Sequence, residues 1–360
     1  MGIDHSKYRI VHISHEGQGD PSSTIMVIYT GGTFGMVHDE SGSLVAFDFQ
    51  QILERVPSLK SLDICITVIS FIKPLDSSNI GVPEWQGIAG IIEAYYDQFD
   101  GFVLLHGTDT MTYTAAALSY MLQGLNKPVI ITGAQLPISA VRSDALANLV
   151  SALEIAAAKE DGHTIVPEVC IYFDYKLTRG NRTFKKRSNQ FEAFGCENYP
   201  ILARIGINIT YNRTAIKPFD PNASLQVKTN FDPSVFVLRI SPSLTRSFVS
   251  QVISMQGLRG IILETYGSGN APTAGWFLDL LRGALDKGII IYNVSQLVGG
   301  VVNQGRYETS KFLSEMGVIS GSDITIEAAW VKFMFLLGTE LDSERVRKQL
   351  AKSINGEITT

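Results

Sequence analysis

An α/β fold built on parallel sheets, with a larger N-terminal and a smaller C-terminal domain, is what this sequence predicts. Three observations carry the prediction. Short apolar, β-rich runs alternate with stretches of helical period through most of the chain. At 360 residues the chain exceeds the length at which one hydrophobic core usually keeps growing, and 45% hydrophobic against 18% charged residues suits well-buried cores. Between about Gly206 and Asp232 the alternation loosens into NRTAIKPFDPNASLQVKTNFDP, rich in Pro, Asn and Asp, which reads as a linker over 206–232.

The elements follow in order. Residues 1–22 read as a polar extension without chemistry, disordered or packed against the first strand. The N-terminal domain, 23–205, has strands at Thr24–Tyr29, Gly101–Leu105, Pro128–Ile131 and Glu168–Phe173, and a strand-like run from Ile64 to Phe71. Its helices are marked by Trp85, Ile88, Ile92 and Tyr95 at helical spacing behind Pro83, then by Thr112–Leu122 and Ser143–Ala158. The C-terminal domain, 233–360, has strands at Ser234–Ile240, Gly260–Leu263 and Gly288–Asn293, with a helix over Pro272–Leu285. No internal repeat stands out.

Composition narrows the function classes. A formal net charge of −5 without a basic stripe offers no footprint for nucleic acid or an anionic membrane, so a small molecule is the expected partner. The N-terminus lacks the apolar core of a signal peptide and no segment is apolar for a membrane span, so a cytoplasmic location is expected. Cys65, Cys170 and Cys196 are odd in number and lack CxxC spacing, which suits reduced thiols.

In open parallel sheets ligands sit beyond the carboxyl ends of the strands, and polar residues concentrate at such places here. Tyr29-Thr30-Gly31-Gly32-Thr33-Phe34-Gly35-Met36 is neither a GxGxxG nor a GxxxxGK[ST] motif; it is a structural turn or a display of the Thr33 hydroxyl. His106-Gly107-Thr108-Asp109-Thr110-Met111 opens a helix, whose amides and dipole would favour a carboxylate or oxyanion, unless Thr108 or Asp109 is only a cap. In Arg179-Gly180-Asn181-Arg182-Thr183-Phe184-Lys185-Lys186-Arg187 most cations read as solvated surface. Lys185 is the candidate general base, if it is drawn in beside a threonine hydroxyl. Pro74-Leu75-Asp76-Ser77-Ser78-Asn79 would hold an amino-acid carboxylate or form an ordinary Asx turn. Serine hydrolase and metal chemistry are disfavoured, since GxSxG, HExxH and paired cysteines are all missing.

The order and separations of TGGTFGM, PLDSSN, HGTDTM and RGNRTFK resemble the L-asparaginase family. Thr132-Gly133-Ala134-Gln135, Arg142-Ser143-Asp144 with Asn148-Leu149, and Tyr266-Gly267-Ser268-Gly269-Asn270-Ala271-Pro272 extend the resemblance from about Ile25 to about Glu357, on the side of the cytoplasmic type I branch. The resemblance implies a larger N-terminal flavodoxin-like domain with a left-handed crossover and a smaller C-terminal α/β domain. It implies hydrolysis of L-asparagine to L-aspartate and ammonia by double displacement, without metal or organic cofactor. Thr33 would be the nucleophile that carries the β-aspartyl ester, with Thr108, Asp109 and Lys185 as the second catalytic group. Asp109 and Ser77 would bind the amino and carboxylate groups, with Ser78 beside them, and the Thr108 N–H would be the oxyanion donor. Asn270 would serve a neighbouring subunit's site, in a homodimer or homotetramer.

Some residues depart from the family pattern. A tyrosine that many relatives place soon after the nucleophile is matched here by Ser43, and the variant solution makes Tyr307 the candidate to assist Thr33. At positions matching an allosteric asparagine site of some relatives the chain has Phe184, Glu264 and Leu297, so no such switch is expected. Glutaminase or another amidohydrolase on the same scaffold is the nearest alternative, because one methylene is worth only about 1–3 kcal/mol in a pocket. A silent amino-acid sensor would be expected to lose one of Thr33, Thr108, Asp109 or Lys185, and all are present.

Overall fold

The computed structural model describes residues 7–13, 21–38, 44–46, 59, 61–305 and 308–359. The chain forms two compact units: Met1–Cys196 with Pro200–Thr229, and Glu197–Tyr199 with Asn230–Thr360.

The first unit is organised by a nine-stranded sheet. Its strands are β1 (Tyr8–Ile13), β2 (Ser23–Gly31), β3 (Ile64–Leu75), β4 (Gly101–Leu105), β5 (Val129–Thr132), β6 (Val169–Phe173), β7 (Lys176–Arg179), β8 (Ala203–Ile205) and β9 (Ile209–Tyr211). In space they run β1-β3-β2-β4-β5-β6-β7-β8-β9. The stretch β3-β2-β4-β5-β6 is parallel throughout. That is the flavodoxin-like order, and its topological switch point falls between β2 and β4. Ile25, Ile28, Val103, Leu104, Ile130 and Ile171 are at most 1% exposed, as strands covered on both faces require. Connections are made by α1 (Val82–Tyr95), α2 (Met111–Met121) and α3 (Ala145–Ala157). Pro83 in the first turn of α1 lacks only an N–H that would have no partner there.

Two expectations change at the edges of this sheet. Within the extension, YRIVHI forms β1, which pairs antiparallel with β3 and not with β2. Tyr8 stacks edge-on against Phe71 at 5.0 Å and His12 Nδ1 lies 3.0 Å from Thr67 Oγ1, so β-favouring residues cover what would be a bare edge. The proline-rich stretch 206–232 belongs mostly to the first unit. β9 joins the sheet, Gln226–Val227 pairs with Leu122–Gln123, and Lys217 N–H donates to Glu168 at 2.8 Å.

The second unit holds a parallel sheet ordered β10 (Val235–Arg239), β11 (Gly260–Thr265), β12 (Ile290–Ser295) and β13 (Ile319–Ser320). Helices α4 (Arg246–Ile253), α5 (Gly275–Asp286), α6 (Glu308–Glu315), α7 (Ile326–Thr339) and α8 (Ser343–Leu350) accompany it. Phe277 and Leu281 of α5 pack with Ile261, Leu263 and Ile291 in one core.

Lys332 on α7 forms a 2.7 Å ion pair with Glu357, and both side chains are 0% exposed. Lys332 also donates to the Leu350 and Lys352 carbonyls at 3.1 and 2.6 Å, and Glu357 accepts from the Ile354 and Asn355 N–H groups at 2.9 and 2.8 Å. The C-terminal segment is thus tied to α7. Removing one partner leaves a buried charge uncompensated, so Lys332→Met should cost about 3–5 kcal/mol in urea unfolding, with part of the loss restored by adding Glu357→Gln. Burial alone would raise the Glu357 pKa, but the Lys332 charge and the backbone donors outweigh it and hold the carboxyl below its ordinary value. Its stabilisation is therefore present above the ordinary carboxylate range and lost on acidification.

Candidate active site

The switch point gathers three loops: the turn after β2, the Pro74–Asn79 segment that closes β3, and the His106–Thr110 turn after β4. Their contact is backbone against backbone. A Cβ built on Gly32 would lie 2.6 Å from Gly107 Cα, and Gly32 has φ +82°, so only glycine fits there. A Cβ on Gly107 would in turn lie 2.5 Å from Ser77 Oγ. Thr33 and Thr108 each follow one of these glycines, so the two hydroxyl-bearing residues leave the chain on either side of the same close contact.

Further bonds fix the loops. Gly32 N–H donates to Leu75 O at 3.2 Å, Thr30 Oγ1 to Leu105 O at 3.0 Å and Thr110 Oγ1 to Ser77 O at 2.7 Å. Ser77 is buried in a short 3-10 turn, Ser77–Asn79, while Ser78 is exposed and its N–H is capped by Asp76 Oδ1 at 2.9 Å. The Asx turn is therefore real, and it presents Ser77 to Gly107.

Lys185 reaches the His106–Thr110 turn from outside the large sheet, from a short strand, Phe184–Lys185, that pairs with Phe194–Gly195. Its Nζ lies 2.8 Å from Thr108 Oγ1 and 2.6 Å from Asp109 Oδ1. The lysine side chain is 18% exposed and the aspartate 66%, so the pair is open to water on its acidic side. The run containing Lys185 is not the solvated surface expected of it. Arg179 is 8% exposed and pairs with Glu168 at 2.6 Å, Arg182 is 1% exposed, and Lys186 sits 3.0 Å from Glu192. These cations are buried, held by specific acidic partners, or both, which the charge count cannot reveal. Hydrogen bonds from Lys176 and Lys186 push the Glu192 carboxyl down to about 2.

The loop after β5 is supported by residues that carry part of the resemblance. Asp144 accepts from the N–H groups of Gln135 at 3.0 Å and Leu136 at 3.0 Å, and Asn148 Nδ2 donates to Gly133 O at 2.9 Å. These are scaffold bonds. Asn270 lies in the second unit, where its N–H and C=O bridge those of Tyr266 just after β11. Ser43 and Tyr307 fall outside the described residues.

Sequence reasoning missed Thr110 as the tie between two loops, and it missed the use made of His106. That histidine is fully buried, and desolvation lowers its pKa to about 4, so it stands neutral at physiological pH. The unfolded chain takes up this proton near 6.5 and the folded chain only near 4, so stability present above 6.5 falls as pH drops through that window.

What decides the family is the match of both units to known domain models: an asparaginase N-terminal model over residues 24–217 and a glutaminase/asparaginase C-terminal model over 234–350. The chain belongs to the asparaginase family. Escherichia coli K12 L-asparaginase 1 is 40% identical over 93% of this chain and 98% of its own. The crystal structure of L-asparaginase I from Vibrio cholerae superposes with a TM-score of 0.84 at 36% identity, covering 94% of this chain and 99% of that one. The thermostable L-asparaginase from Thermococcus kodakarensis gives 0.85 at 32% identity, with 94% and 99% covered. In this chain the flavodoxin-like order of the large sheet brings Thr33, Ser77, Thr108 and Asp109 to the carboxyl ends of the neighbouring strands β2, β3 and β4. Among the described residues no helix is long and apolar enough to cross a membrane.

Proposed function

We propose that this protein hydrolyses L-asparagine to L-aspartate and ammonia through a covalent ester on Thr33. The observation that carries this reading is the Lys185–Thr108–Asp109 cluster, with its 2.8 and 2.6 Å bonds, beside the glycine contact from which Thr33 departs. A zwitterionic amino acid needs an anion for its ammonium and donors for its carboxylate. Exposed Asp109 supplies the first, and Ser77 with Ser78 the second. An ammonium arriving at Asp109 competes with Lys185 for that carboxylate, which leaves the lysine to the Thr108 hydroxyl. Thr33 then attacks the amide carbon, ammonia departs, and a water activated beside Thr108 and Lys185 cleaves the ester. The Thr108 N–H is the donor to the oxyanion in both steps, and Tyr307 assists Thr33. Asn270 completes the neighbouring subunit's site in a homodimer or homotetramer. The odd number of cysteines without CxxC spacing is compatible with a cytoplasmic setting.

Ammonia release from asparagine by the purified protein tests the reading, and kcat/KM for asparagine against glutamine ranks the two amides. Catalysis on glutamine above that on asparagine would replace the substrate while keeping the reaction class. Saturation by asparagine should be hyperbolic, with a Hill coefficient of about one, because Glu264 repels an effector carboxylate where an attractive cation would be needed. Glu264 is only 7% exposed and lies 3.5 Å from Arg239. A sigmoidal curve from an oligomer shown by sedimentation to be stable would contradict this.

A further inference from the structure

A chain of buried hydrogen bonds runs behind the His106–Asp109 turn. Trp85 Nε1 on α1 lies 3.0 Å from Thr114 Oγ1 on α2, Thr114 Oγ1 lies 2.9 Å from His106 Nε2, and His106 Nδ1 lies 2.7 Å from Gly107 O. Both ends fix its direction. An indole N–H only donates and a carbonyl oxygen only accepts. Nδ1 must therefore carry the ring proton toward Gly107 O, Nε2 accepts from the Thr114 hydroxyl, and that hydroxyl accepts from Trp85. Burial keeps the ring neutral, which is the state this arrangement needs.

Gly107 O belongs to the same trans peptide as the Thr108 N–H, since the described chain contains no cis bond. In a planar trans peptide the C=O and N–H point in opposite directions, so a carbonyl turned toward a buried imidazole turns the N–H away from it. Among the described residues the Thr108 N–H has no hydrogen-bond acceptor. An unengaged donor beside the Lys185 cluster, held from behind through its own peptide unit, is what a site for a developing negative charge requires.

We infer that His106 is a positioning residue: through the Gly107 carbonyl it fixes and polarises the Gly107–Thr108 peptide, so that the Thr108 N–H meets the oxyanion. This rests on the amide hydrolysis proposed above. Hydrogen bonds in series strengthen one another by roughly 10–30% per bond, so Trp85 and Thr114 act on the same N–H from a distance. His106 never touches the substrate. Its loss should lower kcat and leave ground-state binding nearly intact.

The test uses the full chain with substitutions His106→Leu, His106→Asn and Thr114→Val. His106→Leu should lose about tenfold or more in kcat, with KM for asparagine changed by less than about threefold. His106→Asn, whose amide N–H stands near the position of Nδ1, should recover part of the loss. Thr114→Val, almost isosteric, should show a smaller loss in the same direction. Independently of activity, ring nitrogen NMR of the unsubstituted protein should show the neutral Nδ1–H tautomer between about pH 5 and 8. The Nε2–H tautomer would overturn the inference, as would an unchanged kcat in both His106→Leu and Thr114→Val. If the unsubstituted protein releases no ammonia from asparagine, the proposed function fails, and the tautomer measurement still decides the relay.

Discussion

Thr33→Val is expected to bind aspartate and to lose at least roughly a hundredfold in kcat, the scale on which removal of a key catalytic group is felt. Valine keeps the branched shape of threonine and removes only the hydroxyl, so the packing of the 3-10 turn Thr33–Gly35 should survive. Phe34 is 0% exposed and its carbonyl accepts from Ile138 N–H at 3.3 Å, which anchors the turn independently of the Thr33 side chain. Calorimetric titration with aspartate would confirm that the binding loops are intact. Mass spectrometry of acid-quenched turnover mixtures should find the aspartyl adduct on the threonine protein and none on the valine variant. Turnover close to normal in Thr33→Val would remove the residue from the mechanism and leave the turn as scaffold.

Lys185→Met should abolish hydrolysis, whereas Lys186→Met should leave kcat within about threefold. The contrast follows from where the two neighbouring lysines go. Lys185 reaches Thr108 Oγ1 and Asp109 Oδ1, and Lys186 turns to Glu192, which also holds Lys176 at 2.7 Å. Arg187 is exposed and engages Gln190. Lys185 is thus the one member of the Phe184–Arg187 stretch that meets a hydroxyl of the strand-end loops. Equal losses from the two substitutions, read as kcat at saturating asparagine, would mean that the run contributes only a positive field.

Much of the candidate site was legible in the sequence because its loops are local. A β-rich run followed by glycines and hydroxyl residues marks the carboxyl end of a parallel strand, and TGGTFGM, PLDSSN and HGTDTM all carry that mark. Lys185 was found as a candidate beside a threonine, but the reason offered for its neighbours did not survive. The pairing of Arg179 with Glu168 and with the Ala215 carbonyl, and of Lys186 with Glu192, depends on how β6 pairs with β7 and how the following turn folds back, which a count of charges does not carry. The short antiparallel strands β7, β8 and β9 were missed because KLTR, ARI and ITY are too brief and too mixed to show a period.

By itself the sequence determined the class of fold, the parallel strands and the candidate residues on which the proposed acyl transfer rests, because hydrophobic period and strand-end composition are properties of a few neighbouring residues. Tertiary structure alone decided that β2 and β4 adjoin at the switch point, that β1 closes the edge against β3, and that Lys185 meets Thr108 across 77 positions of the chain. It also decided that His106, at the start of the turn after β4, is buried and turns to Thr114 and not toward a substrate. The physical reason is the same in each case: which distant backbone edges pair and which polar atoms must find partners away from water is settled only when the sheet closes.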